Sequence, residues 1–250
     1  MTKHLGFLSL IIFISFTSCQ QKVTSDTTDM IDLNPPSEGF NLEDSDSIAI
    51  SIADKVMDAM GGRANWDATQ FLTWNFFGRR FHTWDRYQGR DSIFILKDST
   101  VIDFNINTLE GEVYKYGIQV LEPDSVKNYI EFGHKLWIND SYWLIMPFKL
   151  KDSGVTLKYL GNENNQAKTP CHKLQLTFNE VGVTPENKYE VFIDTTSYLI
   201  SQWNYFQEFS MDTPNISTPW NNYQLHGNIL LSGNRGKFQL TDIAVLKDWP

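Results

Sequence analysis

FLTWNFFGRRFHTWDRYQGRDSIFILKDSTVIDFNINTLEGEVYKY, residues 71–116, alternates apolar and polar positions and breaks at short polar turns. Leu72, Trp74 and Phe76 alternate with Thr73 and Asn75. Successive side chains of a strand point to opposite faces, so a period of two marks a strand with one buried face. Gly78 punctuates the run, and strands over 80–87, 92–96, 101–106 and 112–116 follow. Lys97-Asp98-Ser99 and Leu109-Glu110-Gly111 carry turn chemistry. Sequential short strands joined by tight turns make an antiparallel meander.

Upstream, the period is helical. Ile48, Ile52, Val56 and Met60 are spaced by four, with Ala49, Ala53 and Met57 alongside, which predicts a helix over 46–60. Ser47 is placed to cap it, and Gly61-Gly62 ends it. Downstream, Pro123-Asp124-Ser125 starts a second helix with Val126, Tyr129, Ile130, Gly133 and Trp137 on one face. The apolar segment from Ser141 to Pro147 fits either a helical turn or a strand. Strand patterns return at 156–160, 172–178, 188–194, 198–206, 223–231 and 237–245. Residues 213–219, with Pro214 and Pro219, read as a mobile loop, and 232–236 as a connector. The fold class is therefore α+β, mainly antiparallel β, with about eleven strands and two helices.

The N-terminus has a separate meaning. Lys3-His4 precedes an apolar run from Leu5 to Ile14, too short to span a bilayer, and then Phe16-Thr17-Ser18-Cys19. This resembles a bacterial lipoprotein signal, with Phe16 where an aliphatic residue is usual. The resemblance implies removal of residues 1–18, lipidation of Cys19 by a palmitate-type anchor, and an envelope location at the outer membrane. Residues 19–44 are rich in Ser, Thr, Asp and Asn and contain Pro35-Pro36, so they read as a flexible tether. Residues 45–250 form the domain, and no later apolar run is long enough to cross a membrane.

With 21 basic and 30 acidic residues, the net charge is −9. The overall balance argues against nucleic acid, and against an anionic membrane, as an electrostatic partner. The membrane is expected as a partner through the lipid anchor. If Cys19 carries lipid, Cys171 is the only thiol left and no intrachain disulfide forms. Cys171 and His172 are strand neighbours, so their side chains diverge and a nucleophile–base pair is not expected.

Aromatic residues make up 14% of the chain, eight of them Trp, in strand-like segments. Trp74, Phe76, Trp84, Phe94, Trp137 and Trp143 are candidate walls of a ligand cavity, with a dry core as the competing reading. Arg79, Arg80 and Arg86 flank Phe81-His82-Thr83-Trp84. Arg80 and Arg86 are candidates for meeting a lipid head group or carboxylate, and a solvated strand edge competes with that role. His82, His134, His172 and His226 show no metal-ligand spacing. Asp85, Asp91, Asp103 and Asp194 could act as paired carboxylates only at a separation that sequence does not give. There is no phosphate loop, no serine elbow, and no implied cofactor or metal.

The order helix, meander, helix, second set of strands is similar to the superfamily of lipoprotein-localisation carriers of the LolA/LolB type. The matching stretches are Tyr142-Trp143-Leu144-Ile145-Met146-Pro147-Phe148, Tyr189-Glu190-Val191-Phe192-Ile193-Asp194 and Leu199-Ile200. Ala59-Met60-Gly61-Gly62, Trp66 and Trp74 also resemble a group of Gram-negative lipoproteins linked to that fold. The resemblance implies a curved, unclosed β-barrel whose helices cover an apolar concave cavity that binds a lipid, an acyl chain or another hydrophobic small molecule, without catalysis. It also implies a lipoprotein or envelope protein as a further partner. This chain would itself be anchored, which departs from a free carrier. Two other readings compete: an interaction module presenting Trp203, Trp220 and Tyr223 to a glycan or protein, and a hydrolase using His and Asp in the cavity.

Overall fold

The computed structural model describes Met1, residues 32–179 and residues 186–250. The signal segment 1–18 and Cys19 lie outside the described residues, apart from Met1.

The 71–116 stretch folds as the meander that its period requires. Its strands are β1 (Phe71–Phe76), β2 (Arg80–Asp85), β3 (Arg90–Ile95), β4 (Thr100–Asn105) and β5 (Gly111–Lys115), followed by the short β6 (Ile118–Gln119). The five-stranded second sheet is built from β7 (Val155–Asn164), β8 (Pro170–Phe178), β9 (Lys188–Asp194), β10 (Ile200–Phe206) and β11 (Ile216–Pro219). The chain then returns through β12 (Asn221–His226), β13 (Ile229–Arg235) and β14 (Phe238–Leu246) to the first sheet. There β14 pairs antiparallel with β1, Phe71 opposite Leu246 and Phe76 opposite Leu240. The first sheet has the order β12-β13-β14-β1-β2-β3-β4-β5-β6 and the second β11-β10-β9-β8-β7. Every pairing is antiparallel and both sheets are unclosed.

The described residues thus hold fourteen strands rather than about eleven. The stretch 223–231 is a hairpin rather than one strand, because Gly227 takes a left-handed turn between β12 and β13. Residues 232–236 mostly continue β13. Residues 213–219, read as a loop, contain β11, whose Ile216 sits opposite Tyr205.

Helix α1 (Ser47–Ala59) buries Ala49, Ile52, Ala53, Val56 and Met57, the expected stripe, while Ile48 is exposed. Its cap differs from the expectation. Asp46 occupies the N-cap, and its carboxylate accepts the Tyr159 backbone N–H at 2.9 Å, so it ties the helix start to β7. A short helix, α2 (Arg63–Ala68), follows the Gly61-Gly62 break.

Helix α3 (Pro123–Ile145) resolves the ambiguous apolar segment as helix for a further turn, ending in a 3-10 turn at Met146–Lys149. Glu122 caps its start by accepting the Asp124 and Ser125 N–H groups, with proline at the first position where no donor is needed. Gly133 lets α3 lie close on β4: an added Cβ would come within 3.0 Å of Ile102 Cγ2 and 3.3 Å of Phe104 Cε1. Ile93, Ile102, Phe104, Val113 and Ile130 form the core beneath this half of the helix. The larger core joins both sheets, with Leu72 and Trp74 on one side and Leu174, Val191, Ile193 and Trp203 on the other.

Part of the expected tether belongs to this core-bearing unit, Leu33–Pro250. Phe40 is buried, and the Asn41 and Asp46 N–H groups donate to Val155 and Leu157 carbonyls. A buried ring and backbone bonds to β7 hold residues 33–44 on the domain, which corrects the flexible reading for that stretch.

Candidate ligand cavity

Between the last turns of α3 and the second sheet lies a half-open cavity of about 580 Å³. Its walls come from separate elements. Trp137, Tyr142, Trp143 and Ile145 descend from α3, Trp84 from β2, Phe178 from β8, Tyr189 from β9, Tyr205 from β10 and Ile216 from β11. Seven of these nine are aromatic, and the rings lock one another. Trp84 and Trp137 meet edge-on at 5.4 Å, Trp143 and Trp203 at 4.9 Å, and Tyr189 stacks on Trp203 at 5.1 Å. The charged side chains of the wall, Lys149 and Asp152, pair with each other. Burial pushes the Tyr142 and Tyr189 hydroxyls up from their ordinary values, so both stay protonated and neutral. The cavity is therefore mainly apolar, with Asn139, Ser141, Ser153 and Asn187 completing the wall and its Lys149 and Asp152 charges paired.

The candidate wall residues divide. Trp84, Trp137 and Trp143 line the cavity together. Trp74 and Phe76 are fully buried in the core behind it and do not line it. Phe94 points to the opposite face of the first sheet and is 40% exposed, because it follows the inward Ile93 by one residue.

The arginines also leave the cavity. Arg86 donates to the Trp66 carbonyl at 2.6 Å and to that of Thr69, and lies 3.5 Å over the Trp66 ring; burial lowers its pKa to about 10. Arg80 donates through Nε and Nη2 to Asp140 at 2.6 and 2.9 Å. Tyr142, Tyr189, Tyr205, Phe178 and Ile216 were not singled out from sequence. Tyr142 and Tyr189 stood within quoted stretches but not as wall candidates, and the β-strand residues gain their role only when the second sheet faces α3.

Beneath α3 lies a buried charge cluster. His82 Nδ1 is 2.9 Å from Asp91 and Nε2 is 3.0 Å from Asp140, and all three side chains are sealed from solvent. Each ring nitrogen faces a carboxyl group, an arrangement that suits a cationic imidazole with both nitrogens donating. Burial pulls its pKa down, but the Asp91 charge and the hydrogen bonds to Asp140 and Asp91 outweigh this and raise it to about 9. Burial moves the Asp91 carboxyl in the other direction, upward, and the imidazolium opposes it. The His82 pKa of about 9 favours the ion pair near neutral pH, with the imidazolium between two carboxylates. The cluster fastens α3 to β2 and β3. With no exposed atom, it is not placed to act on a substrate.

The remaining polar candidates are structural. Asp85 and Asp194 accept backbone N–H groups of their own turns, and Asp103 pairs with Arg90. Cys171 is buried with its thiol pKa raised by burial, and His172 turns away to Asn162 at 2.9 Å. Trp203 and Trp220 are each 1% exposed and Tyr223 is half-buried, so they form no solvent-facing platform. Among the described residues, no group of three His, Cys, Asp or Glu side chains is placed to hold a metal ion. No helix among them is long and apolar enough to cross a membrane.

No protein-family model matches the chain, and no curated protein sequence matches it. In fold it is similar to a DUF1329 family protein from Desulfovibrio piger, at 10% identity and a TM-score of 0.43, covering 81% of this chain and 95% of that one. It is also similar to a LolA superfamily protein from Nitrosomonas europaea, at 10% identity and a TM-score of 0.39, covering 81% and 94%.

Proposed function

We propose that the domain binds a lipid, an acyl chain or another hydrophobic small molecule in this cavity, without catalysis, and that a lipid on Cys19 holds it in the cell envelope. One observation carries the binding reading: an apolar, aromatic-walled, half-open space of about 580 Å³ between α3 and the second sheet. That volume falls in the usual range for a small-molecule site. Each methylene moved from water into such a lining gains about 0.8 kcal/mol. Ten methylenes therefore supply roughly 8 kcal/mol, enough for micromolar-order affinity before ordering costs. The paired Lys149 and Asp152 leave apolar contact as the main source of affinity. The His82 cluster is sealed from solvent and does not open into the cavity.

The test is native mass spectrometry of the full chain after gentle extraction, with fluorescence quenching by a brominated fatty acid as a second readout. An apolar adduct and quenching that Trp137→Ala weakens are the expected results. A ligand-free domain that no lipid probe quenches refutes the proposal. Labelling with a palmitate analogue tests the anchor: the intact chain takes up label and Cys19→Ser does not.

A further inference from the structure

We propose that the turn end of the β1–β6 meander is a membrane-docking tip that takes an anionic phospholipid bilayer surface. The turns at 77–79, 96–99 and 116–117 all lie at this end, because the meander is antiparallel. They are laced together by Leu96 N–H to the Arg79 carbonyl at 3.0 Å and Tyr116 N–H to the Ser99 carbonyl at 3.3 Å. Large apolar or aromatic side chains stand open to solvent here: Leu96 is 44% exposed, Tyr116 71% and, at the start of β6, Ile118 74%.

The apolar character continues one row along the strands and then stops. On the outer face Phe81, Phe94, Val101 and Tyr114 stand opposite one another in register. The next outward row is polar: Thr83, Ser92, Asp103 and Glu112. A flat protein partner would cover the face along its length. A gradient that falls along the strand axis, with tyrosines at its margin, instead suits an end-on approach to a lipid–water interface.

Charge points the same way. Arg79 and Lys97 are exposed at the tip and make no ion pair among the described residues, while Lys115 is 3.8 Å from Asp98. These cations sit at the apolar end of a chain whose net charge is −9, a local reversal suited to lipid phosphates.

The 116–117 turn is tight, in a backbone region that seven other described non-glycine residues also adopt. Tyr116 and Gly117 have φ of +53° and +79°, the mirror-image hairpin turn that favours Asn, Asp or Gly at its first position. A tyrosine there holds strain. Its ring is mostly in solvent, so packing inside the protein does not repay that strain. An added Cβ at Gly117 would meet nothing within 4 Å, which places the turn in open space.

The test is co-sedimentation of the full chain carrying Cys19→Ser, so that the expected anchor is absent from every sample and any contribution from residues 1–31 is common to all. Vesicles are phosphatidylcholine alone, or phosphatidylcholine with roughly one-third phosphatidylglycerol. Leu96→Asp/Tyr116→Asp/Ile118→Asp is expected to weaken partitioning onto both vesicle types. Arg79→Glu/Lys97→Glu is expected to weaken it roughly tenfold on the anionic vesicles only. Because all five positions are exposed, the circular dichroism spectrum should not change. Tyr116→Gly, which relaxes the turn, serves as a milder variant and should also lose partitioning. Partitioning equal to the parent in the tip variants overturns the proposal. So does a dimer in sedimentation velocity that the triple variant dissolves while leaving vesicle partitioning intact, since the tip would then cover a second copy.

Discussion

Replacing Asp140 with alanine removes the centre of the cluster that fastens α3 to the first sheet. Asp140 accepts from Arg80 Nε and Nη2, His82 Nε2 and Asn139 Nδ2, at 2.6, 2.9, 3.0 and 2.8 Å. The Asp140 and His82 side chains have no solvent exposure, and Arg80 retains 17%. Without Asp140, the Arg80 charge is left mostly buried and His82 keeps only Asp91. Breaking a buried pair on one side costs about 3–5 kcal/mol, chiefly the desolvation of the abandoned charge. For a domain of this size each kcal/mol lowers the melting temperature by about 2–4 °C, so a fall of roughly 10 °C is expected. Differential scanning calorimetry near neutral pH reads this directly. Asp140→Asn keeps the shape and one acceptor, and should lose less. Arg80→Met in the Asp140→Ala background removes the stranded guanidinium and should recover part of the loss, a non-additivity of about 0.5–3 kcal/mol. If Asp140→Ala melts within about 2 °C of the parent, the cluster does not hold α3 and this reasoning fails.

His82 makes stability pH-dependent. Its folded pKa is raised to about 9 from 6.5, so its stabilising charge is fully present below about 6.5 and is lost as pH rises to about 9. Urea midpoints should therefore fall across that window, and a midpoint that rises or stays level contradicts the cationic assignment. Gly133→Ala should destabilise by about 1–3 kcal/mol although alanine favours helices, because Ile102 and Phe104 are buried and cannot retreat from the new methyl. A stabilised Gly133→Ala variant would falsify the close approach of α3 to β4. Arg235→Met should cost about 2 kcal/mol in chemical denaturation, since the guanidinium donates to the Trp143 carbonyl at 2.7 Å near the end of α3 and lies 3.3 Å over Trp220. Ile216→Trp fills the cavity from the half-buried β11. It should abolish probe quenching with little change in melting, and undiminished quenching would place the ligand elsewhere.

Local pattern made some features legible and distance hid others. The meander was readable because each strand repeats a period of two and the turns between them carry Gly, Asp, Ser or Asn. Helix α1 was readable because its stripe recurs every four residues. The hairpin at Gly227 was missed because Tyr223, Leu225, Ile229 and Leu231 hold one alternation across the Gly227-Asn228 turn signal, and β11 because Pro214 before it and Pro219 at its end look like loop. Trp84, Trp137 and Trp143 were legible as wall candidates from ring size alone. Trp74, Phe76 and Phe94 matched them in composition, but only packing sorts core, cavity and outer face. Overall charge argued against an anionic membrane, yet charge placement is a property of the surface and not of the sum.

By itself the chain's order of residues determined the strand and helix periods, the α+β class and the aromatic stock, since these depend on neighbours within a few positions. Tertiary structure decided which rings face the cavity, that His82 finds two carboxylates, and that Arg79, Leu96, Lys97 and Tyr116 share one end of a sheet. Those outcomes rest on contacts between residues far apart in the chain. Register and packing set such contacts, and a local pattern carries no information about them.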